Sequence, residues 1–322
     1  MEINEIYKIR RGAIRLGQML EIVFPVDIAL LGELILAKSI GMIAGLRGGG
    51  KSWLAMLVAY AIAGGKSLEP WGAGACVPVA ILDGEMRIAS LKERMALIHT
   101  LNSDQESRKA AEKNLHIISR DCIGIEIGSI DTVEGQMQID ALIPPDVIFI
   151  VIDNLSAWTS SGREDSNSWA AIKPWLIAKR LAGVAVLLIH HAGKNGQQRG
   201  SSAHEDLLDY SILLTPLPSS TDREDTRFSV RHTKLRDNHP ELRKTFEYSI
   251  WVQNSSLQFE VVPAGFQVSA HDAEWLSLHE GGMSYEQIAH KFGVNKSTIS
   301  RRLKKLRAVL DDPELGSAQR DE

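Results

Sequence analysis

Ile40-Gly41-Met42-Ile43-Ala44 runs directly into Gly45-Leu46-Arg47-Gly48-Gly49-Gly50-Lys51-Ser52, and residues 53–63 follow as a helical run. The eight middle residues match G-x-x-x-x-G-K-[ST], and an apolar strand before them with a helix after them is the context that pattern requires. Glycines at 48, 49 and 50 let backbone N–H groups turn inward around a phosphate, while the following helix presents its N-terminus to the negative charge. Gly45, Gly48, Gly49, Gly50, Lys51, Ser52 and Trp53 are therefore the candidate nucleotide-binding residues. Lys51 is placed to reach the β and γ phosphates of ATP, and Ser52 to ligand Mg²⁺.

Outward from this loop, short apolar runs rich in β-branched residues alternate with longer helical patterns. The strand-like runs are 39–44, 77–82, 147–152, 184–189 and 210–214; the helical ones include 53–63, 89–100 and 169–181. This alternation predicts an α/β fold with a mostly parallel central sheet flanked by helices. The unbroken apolar run 147–152 predicts a central strand, buried on both faces. After Thr215 the runs 227–232, 245–252 and 257–262 alternate in polarity between Asp/Asn/Pro turns, which predicts an antiparallel extension of the sheet. The sequence divides into residues 1–265, a small all-helical domain at 266–310 and a polar tail at 311–322.

Polar residues recur where strands end. Asp153 follows the run 147–152 on the edge that carries the phosphate loop, which makes it the second Mg²⁺ anchor beside Ser52. Ile81-Leu82-Asp83-Gly84-Glu85 repeats the arrangement, with Glu85 the candidate to polarise an attacking water and Asp83 its competitor. Leu187-Leu188-Ile189-His190-His191 ends a third strand in a polar pair; His190 is favoured as the γ-phosphate sensor, with its partner facing the next loop.

Together these motifs resemble the RecA-like P-loop ATPases, most closely the branch of RepA-type hexameric plasmid helicases, AAA_25-like proteins and related ATPases of phages and mobile elements. The resemblance covers about residues 24–262 and rests on GLRGGGKS at 45–52, ILDGE at 81–85, VIDN at 151–154, LLIHHAGK at 187–194 and RGSS at 199–202. It implies that Lys51, Glu85 as base and His190 as the coupling residue form the catalytic set. It also implies that the loop 193–202, with Lys194 and Arg199, contacts single-stranded nucleic acid. One departure stands out: where RepA-type helicases carry an arginine finger, this chain has Asp209-Tyr210. Lys234-Leu235-Arg236 matches the Lys-x-Arg pair of other hexameric helicases, and makes Lys234 and Arg236 the candidate trans-acting cations of a homo-oligomer, for which the resemblance suggests a hexamer.

Residues 283–303 look like a helix-turn-helix. Ser284 with Gln287 forms a capping box, Ile288, Ala289 and Phe292 share a helical face, Gly293 supplies a left-handed turn and Asn295 caps a second helix. Between residues 284 and 310 there are seven Lys and Arg against one acid, in a chain whose formal net charge is -4, so positive charge is gathered on this segment. A recognition helix reads duplex DNA from its N-terminal end, which nominates Lys296, Ser297, Thr298 and Arg301 for bases and Arg302 and Lys305 for phosphates.

The two cysteines, Cys76 and Cys122, form no CxxC pair, which argues against a zinc site and a disulfide framework. Leu20 to Leu36 is broken by Glu21, Pro25, Asp27 and Glu33, so no membrane span is expected and the cytoplasm is the expected location. The expected activity is that of an ATP-hydrolysing, helicase-like motor or loader on DNA. The alternative is an ATP-switched, sequence-specific DNA-binding regulator that does not unwind.

Overall fold

A computed structural model describes residues 13–23, 27–124, 127–160, 166–191, 206–220, 224–236, 241–264, 270–300 and 302–303. The chain forms two compact units, Met1–Val262 and Pro263–Glu322.

Nine strands of the first unit make one sheet: β1 (Ile40–Gly45), β2 (Val79–Asp83), β3 (Leu115–Ser119), β4 (Phe149–Asp153), β5 (Ala185–His191), β6 (Tyr210–Leu217), β7 (Thr226–Leu235), β8 (Phe246–Gln253) and β9 (Ser256–Pro263). Their order is β9-β8-β7-β6-β1-β5-β4-β2-β3. From β6 to β3 every pairing is parallel. On the other side of β6, the β6–β7 and β7–β8 pairings are antiparallel. β8 turns into β9 through Asn254 and Ser255, both at positive φ, the conformation that a two-residue hairpin turn imposes on its central pair.

Each residue of β1, β2 and β4 is buried, as expected for parallel strands covered on both faces. Alternate side chains feed two separate cores. Ile43, Ile81, Val151 and Leu187 pack with the helix α1 (Lys51–Gly64). Met42, Leu82, Ile152 and Leu188 pack with Trp169, Ile172 and Leu176 of a second helix, Ser166–Leu181. Twelve of the fourteen residues of α1 are buried, so this helix is apolar on all sides rather than amphipathic, and it fixes the phosphate loop to the core. Gly65, at φ 69, ends it.

Several of the described elements have no counterpart in the sequence reading, among them two helices and β3. Helix Gln105–Asn114 is capped by Asp104, whose side chain accepts from Glu106 N and Ser107 N. It leads into β3, at one end of the sheet, and helix Val133–Leu142 follows with Thr132 as its cap.

At the edge away from the phosphate loop, Asp209 ties the start of β6 to the start of β1. Its Oδ2 accepts from Ile40 N at 2.8 Å and pairs with Arg180, while Oδ1 pairs with Arg236 at 2.8 Å.

In the second unit, helices Ala270–Glu280 and Tyr285–Phe292 are followed by helical residues 296–300 and 302–303. Trp275, Ile288, Ala289, Ile299 and Leu303 form its core, and the Trp275 and Phe292 rings meet edge to face at 5.9 Å. Ser284 and Gln287 cap the second helix reciprocally. Gly293 closes it at φ 65, and Val294 N donates to Ala289 O at 3.0 Å. Asn295 Oδ1 then accepts from Ser297 N at 3.1 Å.

Replacing Asp209 by Ala strands the Ile40 N–H and removes the common partner of two guanidinium groups. The expected loss of stability is about 1–3 kcal/mol, measured by urea unfolding; Asp209→Asn, which keeps an acceptor for Ile40, should lose less.

Candidate nucleotide site

The loop between β1 and α1 is built around its own lysine. Lys51 is buried, and its Nζ donates to the carbonyls of Gly45 at 3.0 Å and Leu46 at 2.7 Å. Burial lowers the Lys51 pKa, opposed by the nearby carboxylates of Asp153 and Glu85. Gly50 enters α1 at φ 84, and a Cβ there would lie 2.3 Å from the ring of Phe228. The loop therefore rests on β7. Phe228 stacks on Tyr248 with ring centroids 5.5 Å apart, and Tyr248 stacks on Trp71 at 6.1 Å, so an aromatic column backs the loop. Trp53, one turn into α1, carries the Arg94 guanidinium over its ring at 5.2 Å.

β2 and β4 are in register, so Asp83 and Asp153 end side by side. Gly84 N donates to Asp153 O at 2.7 Å, and a Cβ on Gly84 would press into Ala157 and Trp158, which leaves that position to glycine. Ser52 hydrogen-bonds the Asp153 side chain; burial raises the Asp153 pKa against that bond and against Lys51. A hydroxyl paired with a carboxylate at the phosphate loop is a donor set suited to Mg²⁺, which takes oxygen ligands and keeps several from phosphate and water. Among the described residues there is no group of three or more His, Cys, Asp or Glu that could hold a metal ion.

The two acids of ILDGE are in different states. Burial pushes Asp83 up to about 7, although Met86 N donates to its Oδ1 at 2.9 Å. Glu85 is also pushed up by burial, but hydrogen bonds from His191 and Asn154 outweigh that and leave it below the usual carboxylate range. Glu85 is thus the ionised, accessible acid at this edge, and Asp83 the buried one that braces its turn.

The sequence favoured His190 over His191, and the structure reverses their placement. His190 is 2% exposed and shares the parity of Val186 and Leu188, which face the core on the Ser166–Leu181 side. His191 has the parity of Leu187 and Ile189, which face α1, and its Nε2 lies 3.2 Å from Glu85 Oε1. Arg236, expected to act on a neighbouring subunit, pairs with Asp209 in its own chain, and Lys234 lies on β7 at the same edge, remote from the chain's own phosphate loop. Lys194, Arg199, Arg301 and Lys305 lie outside the described residues. In the second unit Lys296, Ser297 and Thr298 are exposed and Arg302 is half-buried. Lys296 pairs with Glu286 at 2.7 Å.

Strand order, the loop between β1 and α1, and the acids at the ends of β2 and β4 define a RecA-like P-loop ATPase. Residues 24–197 match the family model AAA_25, described as an AAA domain; the match spans more than half of the 322 residues, and the chain belongs to that family. No curated protein matches the sequence. Among solved structures the chain is similar to a KaiC-like protein of Pyrococcus horikoshii OT3, at 16% identity and TM-score 0.46. It is also similar to the flagellar accessory protein FlaH of Methanocaldococcus jannaschii, at 11% identity and TM-score 0.45. Each match covers 70% of this chain and 91% of the other. Both scores fall below 0.5, so the assignment rests on the family match and the geometry. Among the described residues no helix is long and apolar enough to cross a membrane.

Two outcomes follow from this geometry. Gly50→Ala both strains φ and collides with Phe228, so it should weaken binding of an ATP analogue at least about tenfold in calorimetric titration, with the fold retained by circular dichroism. Asp83, with its pKa raised from 3.8 to about 7, keeps a proton in the folded chain that the unfolded chain releases. Its contribution is therefore most favourable below about pH 4 and is lost as pH rises towards 7, by about 2–4 kcal/mol. Urea unfolding in EDTA at several pH values should show that fall, and Asp83→Asn should reduce it to the part that Asp153, whose pKa burial also raises, contributes.

Proposed function

We propose that this ATPase acts on DNA as a helicase-like motor or loader of the plasmid, phage or mobile-element replication type, cytoplasmic and working as a ring of identical subunits. The observation that carries the reading is the convergence of Lys51, Ser52, Asp153, Glu85 and His191 on one sheet edge. In this scheme the loop N–H groups and Lys51 bind the phosphates, and Ser52 and Asp153 hold Mg²⁺, which neutralises charge on the transferring group. Glu85 accepts the proton of the water that attacks the γ-phosphate. His191, rather than His190, reports the γ-phosphate to the loop that follows it.

Lys234 and Arg236 sit about three and five strand residues from the phosphate-loop edge, roughly 10 and 17 Å along the sheet, so they serve a neighbouring subunit's nucleotide or none. Single-stranded DNA is assigned to the loop bearing Lys194 and Arg199. Duplex DNA is assigned to the second unit, read as a helix-turn-helix, through Lys296, Ser297, Thr298, Arg301, Arg302 and Lys305. The exposed Lys296–Glu286 pair is a weak contact, readily exchanged for a phosphate. The tie between Arg236 and Asp209 favours a second reading, a nucleotide-switched regulator that binds one duplex sequence and turns over ATP slowly.

Steady-state ATP turnover with and without DNA separates the two. The motor reading expects stimulation by single-stranded DNA, strand separation and a nucleotide-dependent ring. It also expects turnover to fall at least about 100-fold in Lys51→Ala and Glu85→Gln, with ATP binding kept only in the latter. Turnover indifferent to every DNA, with ATP-dependent binding to one duplex sequence by a dimer, would discard the motor in favour of the switch.

A further inference from the structure

Asn154 is fully buried, directly after Asp153. Its amide is oriented by its own chain: Oδ1 accepts from Ala157 N at 3.0 Å and from Ser156 Oγ at 2.7 Å. With the oxygen so engaged, Nδ2 faces the other way and offers only hydrogens. Nδ2 lies 2.5 Å from His191 Nε2, and the Asn154 side chain also hydrogen-bonds Glu85. His191 Nε2 is in turn 3.2 Å from Glu85 Oε1.

The two contacts of His191 Nε2, with Asn154 and with Glu85, exclude one another. An imidazole nitrogen carries either a lone pair or a hydrogen. With a lone pair, Nε2 accepts from Asn154 and gives nothing to Glu85. With a hydrogen, it donates to Glu85 and meets the Asn154 N–H head-on. We propose that Asn154 is a positioning residue for Glu85: it holds the acid directly and competes with it for His191 Nε2, so that the histidine's hold on Glu85 is lost when His191 turns to Asn154 and restored when it does not. Asn154 thereby couples the histidine at the end of β5 to the acid that follows β2. This rests on the reading of Glu85 as the base.

Asn154→Asp separates this role from a structural one. Aspartate keeps Oδ1, and with it the bonds to Ala157 and Ser156, but replaces the donor face by an acceptor. The expected result is a fall in kcat of at least about tenfold, with the Kd of a non-hydrolysable ATP analogue and the Mg²⁺ titration midpoint each within about threefold of the parent. In a His191→Phe background the same substitution should cost at least about threefold less in kcat than in the parent, because the competition is gone and only the direct contact with Glu85 is left to lose. Parental kcat in Asn154→Asp overturns the proposal, whether or not Asn154→Ala loses activity; rescue by aspartate after loss in alanine would assign Asn154 to the turn alone. A loss confined to Kd, or an equal loss in both His191 backgrounds, overturns it as well. Glu85→Gln tests the underlying reading: surviving hydrolysis removes Glu85 as base whatever Asn154 does. Lost hydrolysis with a fully active Asn154→Asp removes only the positioning role.

Discussion

Parallel pairing decides where everything chemical in this protein lies. Strands that run the same way and are held in register bring their carboxyl ends to one edge, and here Asp83 ends opposite Asp153 and Gly45 opposite His191. The backbone ladder therefore sets the spacing of the acids, the histidine and the phosphate loop before any side chain contributes. A slip of one residue in β5 would exchange the two histidines between the sheet's faces, so the register of that strand is also what chooses the residue that meets Glu85.

The ladder also concentrates charge where solvent is scarce. Lys51, Asp83 and Asp153 are all buried, and burial moves each towards its neutral form. A divalent cation and a polyphosphate bound at this edge would reverse that preference by giving each group an opposite charge, and such binding would be coupled to proton release from the acids. Glu85 escapes because it is more exposed and accepts hydrogen bonds from His191 and Asn154, and this difference separates it from Asp83, two residues earlier in the same motif.

Much of this was legible from local pattern. β1, β2, β4 and β5 are near-continuous apolar runs, and the loop at 45–52 has a spacing few other structures share. The elements that escaped have weaker signatures. Helix Gln105–Asn114 buries only Ala111, so it lacks an apolar stripe and depends on the Asp104 cap. β3 is a five-residue end strand with His116 as its second residue and Ile117, at its middle, exposed. The choice between His190 and His191 turns on which face each parity meets, and that depends on where two helices pack rather than on the motif. Asp209 was visible only as a departure; its partners Ile40 and Arg180 lie 169 and 29 residues away, and no spacing rule links them.

The aromatic column behind the phosphate loop makes the antiparallel strands part of the loop's foundation. Gly50 lies against Phe228 and Phe228 against Tyr248, so ligand affinity doubles as a gauge of whether the β7–β8 ribbon is intact. The traffic would run both ways: whatever grips the loop would also slow amide exchange across that ribbon. Lesions far along the chain, at Tyr248 or Trp71, would then masquerade as defects in nucleotide recognition.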